Sequence, residues 1–317
     1  MIEIVHPGWL SLVADNGRFG HADIGVPWSS ALDSFAYGTL NLMLGNDPGA
    51  PALEVVGNEF AVRFHEETTC AICGARVTAQ LDGDEIGSWQ SFQARRGSLL
   101  RVSKVLEGFR YYVGVSGVFD LPRVIGSFAT NLECRFGGLR GRPLVRGDVL
   151  GVKGTRSVEE RSVPVEYVPA LHPPHVIRWV DGPEIGYFTQ VSIKKLCTQN
   201  EDVCYLVSAK SNRTGVRLDG EPLHFKKGSA RSIISEGLLP GTIQVPGDGS
   251  PIIVLYERTN GGYARMGVVA RVDLDLLAHL KPKDRILFRR ITRDEALEMG
   301  QERNERISAL HHILEDF

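Results

Sequence analysis

The chain has 317 residues with 36 basic against 38 acidic side chains, a near-balance that excludes the basic footprint of a nucleic-acid binder. That length holds one large domain or two, with a full hydrophobic core. No apolar run approaches a membrane span, the start Met1–Pro7 lacks the layout of a signal peptide, and five cysteines without framework spacing point to a reducing, cytoplasmic setting.

Glycine and proline punctuate the whole chain at short intervals. Between them lie short runs of β-branched and aromatic residues, so the fold is expected to be mainly β with few helices. In chain order, apolar residues at Leu32, Phe35, Ala36, Leu40, Met43 and Leu44 predict a helix over Ser30–Leu44, closed by Gly45-Asn46. Phe60–Phe64, Leu99–Val102, Arg110–Val115 and Pro251–Leu255 read as strands. Asp82-Gly83 and Asp219-Gly220 read as hairpin turns. Cys70 and Cys73 lie in an alternating, strand-like run and read as buried thiols. Phe136–Arg142 has two readings, an anion-binding backbone nest with two arginines or a glycine-rich turn. The charged stretch Glu159–Pro164 reads as a connection, giving an N-terminal domain over 1–158 and a C-terminal domain over 159–317. His172-Pro173-Pro174-His175 is either a metal-ligand pair or a stiff exposed connector. A short helix is expected over Leu274–Leu280. A C-terminal helix follows over Thr292–Leu314, opened by a Thr292/Glu295 capping box, with His311 and His312 facing solvent.

The run Arg76–Ile86 echoes Arg213–Leu223 in register from the arginine through Asp-Gly to the following aliphatic residue. At about one domain length apart, this predicts an internal duplication. The P-loop, zinc-protease and nucleophile-elbow motifs are absent.

Two polar, glycine-rich blocks stand out: Gly25–Asp33 with Asn41, Gly45-Asn46 and Glu54, and Ser211–Gly220 with Ser235–Gly237 and Gly241–Gly249. Such blocks let backbone approach a ligand closely and read as two halves of one site. With Asp15–Gly20, Gly74-Ala75, Leu81–Gly83, Arg110 and Tyr112, Ile125–Ser127, Gly137–Asp148 and Gly261–Tyr263, they run almost end to end in an order that resembles the allophanate hydrolase subunit 2 family, also called the biotin-dependent carboxyltransferase family. The resemblance implies two cyclophilin-like β-barrel domains related as a repeat. It implies the C-type component of an ATP-dependent 5-oxoprolinase, which opens the lactam of 5-oxoproline to glutamate using ATP and Mg²⁺. The implied partners are a smaller, B-type subunit 1 protein and a LamB/YcsF-type protein as the A-type component. Two alternatives stay open: a component moving carboxyl from carboxybiotin to urea or a similar amide, and a non-catalytic partner of a regulatory subunit 1 protein. The sequence departs from the family at Ala14, where a glutamine is usual, and over Tyr256–Ala264, where Arg258 replaces a glutamine and Ala264 a proline.

For this chemistry Arg213 and Arg217 suit a carboxylate or phosphate, and Asn212 and Gln244 suit an amide edge. The resemblance adds Gly261, Gly262 and Tyr263 to the substrate contacts. Asp33, Glu54, Glu236 and Asp248 are the candidate base or Mg²⁺ contacts. Each has a structural counterpart: Asp33 as a helix cap, Asp248 as a turn residue, Arg213 paired with Asp219, and Glu54 paired with Arg63 or Arg18. Replacing Arg213 by Ala is expected to abolish activity without unfolding the chain.

Overall fold

The computed structural model describes residues 1–197 and 204–315. It is mainly β and divides into two compact units, Met1–Arg18 with Ser29–Leu171 and Arg306–Phe317, and Phe19–Trp28 with His172–Glu305. The division falls at Leu171/His172 rather than at 158/159, and two segments are exchanged. The stretch Glu159–Pro164 is no free linker: Gln90 bridges Ser162, and Ser91 and Arg161 exchange hydrogen bonds of 2.8 Å along the edge of the first unit.

The first unit is a curled, open antiparallel sheet of nine strands. Its spine is Leu99–Val115, one unbroken 17-residue strand that fuses the two strands expected over 99–102 and 110–115. This strand pairs with Ala52–Val56, Phe60–Phe64 and Thr68–Leu81. Because side chains alternate faces along a strand, Thr68–Leu81 serves two cores. Cys70 and Ile72 join Ile4, Val62 and Val113 on one face, while Ala71 and Cys73 join Tyr37, Leu40 and Tyr112 on the other. Both cysteines are buried, and burial pushes both thiols up, as expected of structural rather than reactive cysteines.

Helix α1 (Ser34–Met43) covers that second face with Ala36, Tyr37, Leu40 and Met43. It starts four residues later than its apolar pattern implies, because Asp33 is its N-cap and accepts from the Ala36 N–H at 2.8 Å.

In the second unit seven strands close a ring. His175–Asp181 runs parallel to Arg285–Arg290 and antiparallel to Asn260–Val269, joining the two ends of the order. An eighth strand, Ser232–Gly237, pairs only with Asn260–Val269 and lies off the ring, exposed along most of its length. Helix α2 (Gln190–Cys197) has no forerunner in the sequence pattern, and the stretch expected as a helix near 274–280 is a 3-10 turn over Asp275–His279.

Helix α3 (Arg293–Glu315) opens with the predicted capping box: Thr292 Oγ1 accepts from the Glu295 N–H at 3.2 Å, and the Glu295 carboxylate accepts from the Thr292 N–H at 2.6 Å. Its last two buried residues, Leu310 and Leu314, belong to the core of the first unit, while His311 and His312 are exposed.

The echo between Arg76–Ile86 and Arg213–Leu223 is not a shared hairpin. Asp82-Gly83 does turn Thr68–Leu81 back onto Asp84–Ile86. Asp219-Gly220 instead ends a strand whose partners are Tyr205–Val207 and Ile252–Val254. His175 is likewise no exposed connector residue, since it is buried 3.3 Å from Asp284.

The Phe136–Arg142 loop packs on the segment 127–131. Gly138 N–H donates to Phe128 O at 2.7 Å, Gly141 N–H to Gly137 O at 2.8 Å, and Arg142 forks onto Asp148 at 2.7 and 2.8 Å. These donors are committed within the protein, so the glycine-rich-turn reading describes the loop. Gly137 sits at φ +71°, where a Cβ would lie 2.0 Å from Ala129 O. Gly137→Ala is therefore expected to lower unfolding free energy by about 1–3 kcal/mol. Chemical denaturation tests this, and an unchanged midpoint would show that the loop relaxes freely.

Candidate functional site

A cleft of about 310 Å³ opens in the second unit. Three segments line it: Ala22 and Trp28 of the exchanged N-terminal segment, the run 237–240, and Tyr256, Arg258 and Thr259. The first polar block is thus divided. Its Gly25–Trp28 part belongs to this unit and its Ser29–Asp33 part to the other. Trp28 stacks obliquely on Phe19 at 4.8 Å between ring centres and stands 6.2 Å from the ring of Tyr256. The run 256–259 is held by Leu238 N–H donating to Thr259 O at 2.9 Å and by Leu255 N–H donating to Thr214 O at 3.0 Å.

Behind this wall lies Arg213. It is buried, and its Nε donates to Glu257 at 3.1 Å, with both side chains under a tenth exposed. Its acidic partner is therefore Glu257, not Asp219. The reason is the strand register: Arg213 and Thr214 run alongside Leu255, which brings residue 257 within reach. Asn212 turns its Oδ1 onto the Thr214 and Gly215 N–H groups at 2.9 and 3.2 Å, shaping that bend. Arg217, two residues further along its strand, is exposed.

Gln244, Gly261, Gly262 and Tyr263 come together on neighbouring strands. Gln244 is buried and its Nε2 donates to Tyr263 O at 3.4 Å. Gly261 is glycine by close approach, since a Cβ there would lie 2.7 Å from both Gln244 Nε2 and Leu238 Cδ1. Tyr263 remains 44% exposed, the most open of this group's large side chains.

Three of the four candidate catalytic carboxylates are separated. Glu236 is cross-strand from Gly261 and adjoins Gly237 of the cleft; it pairs with Arg265 at 2.9 Å while staying half exposed. Asp248 is an exposed turn residue accepting from Ser250 N–H at 3.0 Å. Asp33 is buried in the first unit, capping α1.

Sequence reasoning missed Arg265 and Glu184. Glu184 takes the Arg265 N–H at 3.0 Å and its guanidinium at 2.7 and 2.7 Å. These hydrogen bonds hold the Glu184 carboxyl below its usual range and raise the Arg265 guanidinium.

The matching polar centre of the first unit is Glu54. It accepts from Tyr112 Oη at 2.8 Å and Leu32 N–H at 3.2 Å, and faces Arg110 Nε at 3.6 Å. Arg110, not Arg63 or Arg18, is its cation. Tyr112 Oη in turn accepts from Asp33 N–H at 3.0 Å. Burial, reinforced by the charges of Glu54 and Asp33, pushes the Tyr112 phenol far up, so it acts as a permanent donor.

The family description of the carboxyltransferase domain, subdomain A and B, matches residues 24–290. The chain belongs to this carboxyltransferase-domain family. It is 33% identical over 303 residues to a protein of Escherichia coli named as the C subunit of 5-oxoprolinase, the match covering 95% of each chain. It is also 33% identical over 310 residues to the urea amidolyase of Saccharomyces cerevisiae, covering 90% of this chain and 16% of that one. The crystal structure of the Kluyveromyces lactis urea carboxylase superposes with a TM-score of 0.89 at 29% identity, over 98% of this chain and 29% of that one. Among the described residues, no helix of this family member is long and apolar enough to cross a membrane.

Two outcomes follow for the buried pairs. Arg213→Ala removes the guanidinium from the buried Glu257 carboxylate and is expected to cost about 3–5 kcal/mol. Stability is therefore lost with any activity, contrary to the expectation of a folded, inactive variant. Equilibrium unfolding of Arg213→Ala against Arg213→Ala/Glu257→Ala checks this, the double variant recovering part of the loss. For Glu184 the depressed carboxyl contributes fully above its ordinary value of 4.5 and loses its contribution as pH falls through the lowered folded value. The stability gap between wild type and Glu184→Gln is therefore expected to be widest near neutrality and to close below about pH 4.5. A gap independent of pH would contradict the pairing.

Proposed function

We propose that the chain is the C-type component of an ATP-dependent 5-oxoprolinase, acting with a B-type subunit 1 protein and a LamB/YcsF-type protein as the A-type component. The match that spans 95% of both this chain and its Escherichia coli relative carries the reading. In this reaction ATP phosphorylates the lactam oxygen. Water then adds to the activated carbon, the C–N bond breaks with the ring nitrogen leaving as the amine, and a second water releases phosphate. Such chemistry needs positioned cations and donors more than a covalent nucleophile.

Within that reading Gln244 and the Gly261–Tyr263 strand present amide-recognising groups, and Arg217 is an exposed cation for anionic groups. Glu236, solvent-open and next to the cleft, is better placed for proton transfer than Asp33 or Asp248, whose oxygens cap a helix and a turn. Among the described residues no three His, Cys, Asp or Glu side chains gather as a metal site. Mg²⁺ that arrives on nucleotide phosphates needs at most one or two protein carboxylates. The buried, unbridged thiols of Cys70 and Cys73 support a reducing, cytoplasmic setting.

A second reading, carboxyl transfer from carboxybiotin to urea or a similar amide, is supported by the superposition on the Kluyveromyces lactis urea carboxylase. One experiment separates them. The assembled components are supplied with 5-oxoproline, ATP and Mg²⁺, and in parallel the chain is supplied with carboxybiotin and urea. Glutamate with substrate-dependent ADP is expected in the first arm. Loss of carboxyl from carboxybiotin in the second arm, with no glutamate in the first, would replace the proposal by the second reading.

A further inference from the structure

We infer that the cleft at Trp28, Tyr256 and Arg258 binds a small cyclic carboxylate, with Arg258 holding the carboxylate and the adjoining Trp28 and Tyr256 rings forming one apolar wall beside the ring of the ligand. Arg258 is exposed at the cleft wall, where its Nε donates to Asn260 O at 3.1 Å. That bond fixes the plane of the guanidinium and leaves both Nη groups for a ligand. Among the described residues no acidic side chain pairs with it. The neighbouring acid, Glu257, is buried and turned onto Arg213, so it does not neutralise Arg258. The residues lining the cleft include no carboxylate at all.

A planar, anchored guanidinium is the natural fork for a carboxylate, which it meets through two parallel hydrogen bonds. Trp28 and Tyr256, with centroids 6.2 Å apart and planes inclined at 44°, supply flat apolar surface beside it. The size decides the class of ligand. A volume of about 310 Å³ lies at the lower end of small-molecule pockets. One guanidinium balances one negative charge, whereas a nucleotide's phosphates call for several cations or a nest of backbone N–H groups.

The inference deepens the proposed function and rests on it for the choice of 5-oxoproline as probe. The test titrates the full chain with 5-oxoproline, its carboxamide and inorganic phosphate, read by calorimetry and tryptophan fluorescence, for wild type, Arg258→Gln and Arg258→Lys. Expected is saturable binding of 5-oxoproline about tenfold or more tighter than of the carboxamide. Arg258→Gln abolishes that preference at an unchanged melting temperature, and Arg258→Lys retains part of it. Absence of saturable 5-oxoproline binding by wild type, tighter binding of phosphate than of 5-oxoproline, or equal binding of 5-oxoproline by wild type and Arg258→Gln overturns the assignment. The two claims fail separately. Glutamate formation with a KM unaffected by Arg258→Gln removes the cleft assignment alone. Arg258-dependent binding without glutamate from the assembled components removes the ring-opening reaction alone.

Discussion

A recurring interaction organises this protein: a buried carboxylate that takes a backbone N–H and a cationic side chain at once. Glu54 accepts from Leu32 N–H and faces Arg110, and Glu184 accepts from both the backbone and the guanidinium of Arg265; the half-buried Asp148 accepts from Val145 N–H and Arg142 in the same way. Asp273 does the same for Arg178, with 2.7 Å to its N–H and 2.9 Å to its Nε; Asp284 takes the Lys281 N–H and lies beside the His175 ring. Irregular, glycine-rich chain can be drawn into a β-protein's interior only if its N–H groups find acceptors. A carboxylate placed there for that purpose needs a counter-charge. One residue meets both demands, so the loops that carry chemistry can be packed as firmly as strands.

That arrangement explains why so many polar residues in and around the two blocks are structural. Asp15 takes Gly17 N–H, Phe128 N–H and the Ser127 hydroxyl, and Asn131 takes Cys134 N–H while donating to Ser29. Asn212 shapes the bend before Gly215, and Arg213 is consumed by Glu257. At the edge of this framework stand Gln244 and Tyr263 on paired strands, Glu236 on a strand outside the ring, and Arg258 at the cleft. The turn that follows the strand Ile252–Val254 buries Glu257 while Tyr256 and Arg258 line the cleft.

Much of this was legible in order and type. The C-terminal capping box reads directly from Thr292 and Glu295, since all its bonds lie within four residues. The Asp33 cap was likewise available as an alternative to catalysis. Features that depended on distant partners were not. The Arg213 and Glu54 partners were misassigned, because register across a sheet decides which side chains meet. The fusion of two short strands into Leu99–Val115 was hidden by its middle, Ser103–Gly108, where Ser103, Lys104 and Leu106 are exposed and the apolar alternation is broken by the adjacent Val105 and Leu106. The echo between Arg76–Ile86 and Arg213–Leu223 misled locally, because an Asp-Gly pair turns a hairpin only where the following residues have a strand to pair with.

By itself the sequence determined the fold class, the family and the segments that bear polar chemistry, because turn residues, strand periodicity and glycine positions act through local backbone sterics. Tertiary structure alone decided which of those polar groups are spent on the framework and which stay open at its edge. It closed one sheet into a ring and left the other open, assigned Phe19–Trp28 to the second unit, and set Trp28 beside Tyr256 and Arg258. The physical reason is that hydrogen bonds and ion pairs between residues far apart in the chain depend on register and topology, which no short window of sequence contains.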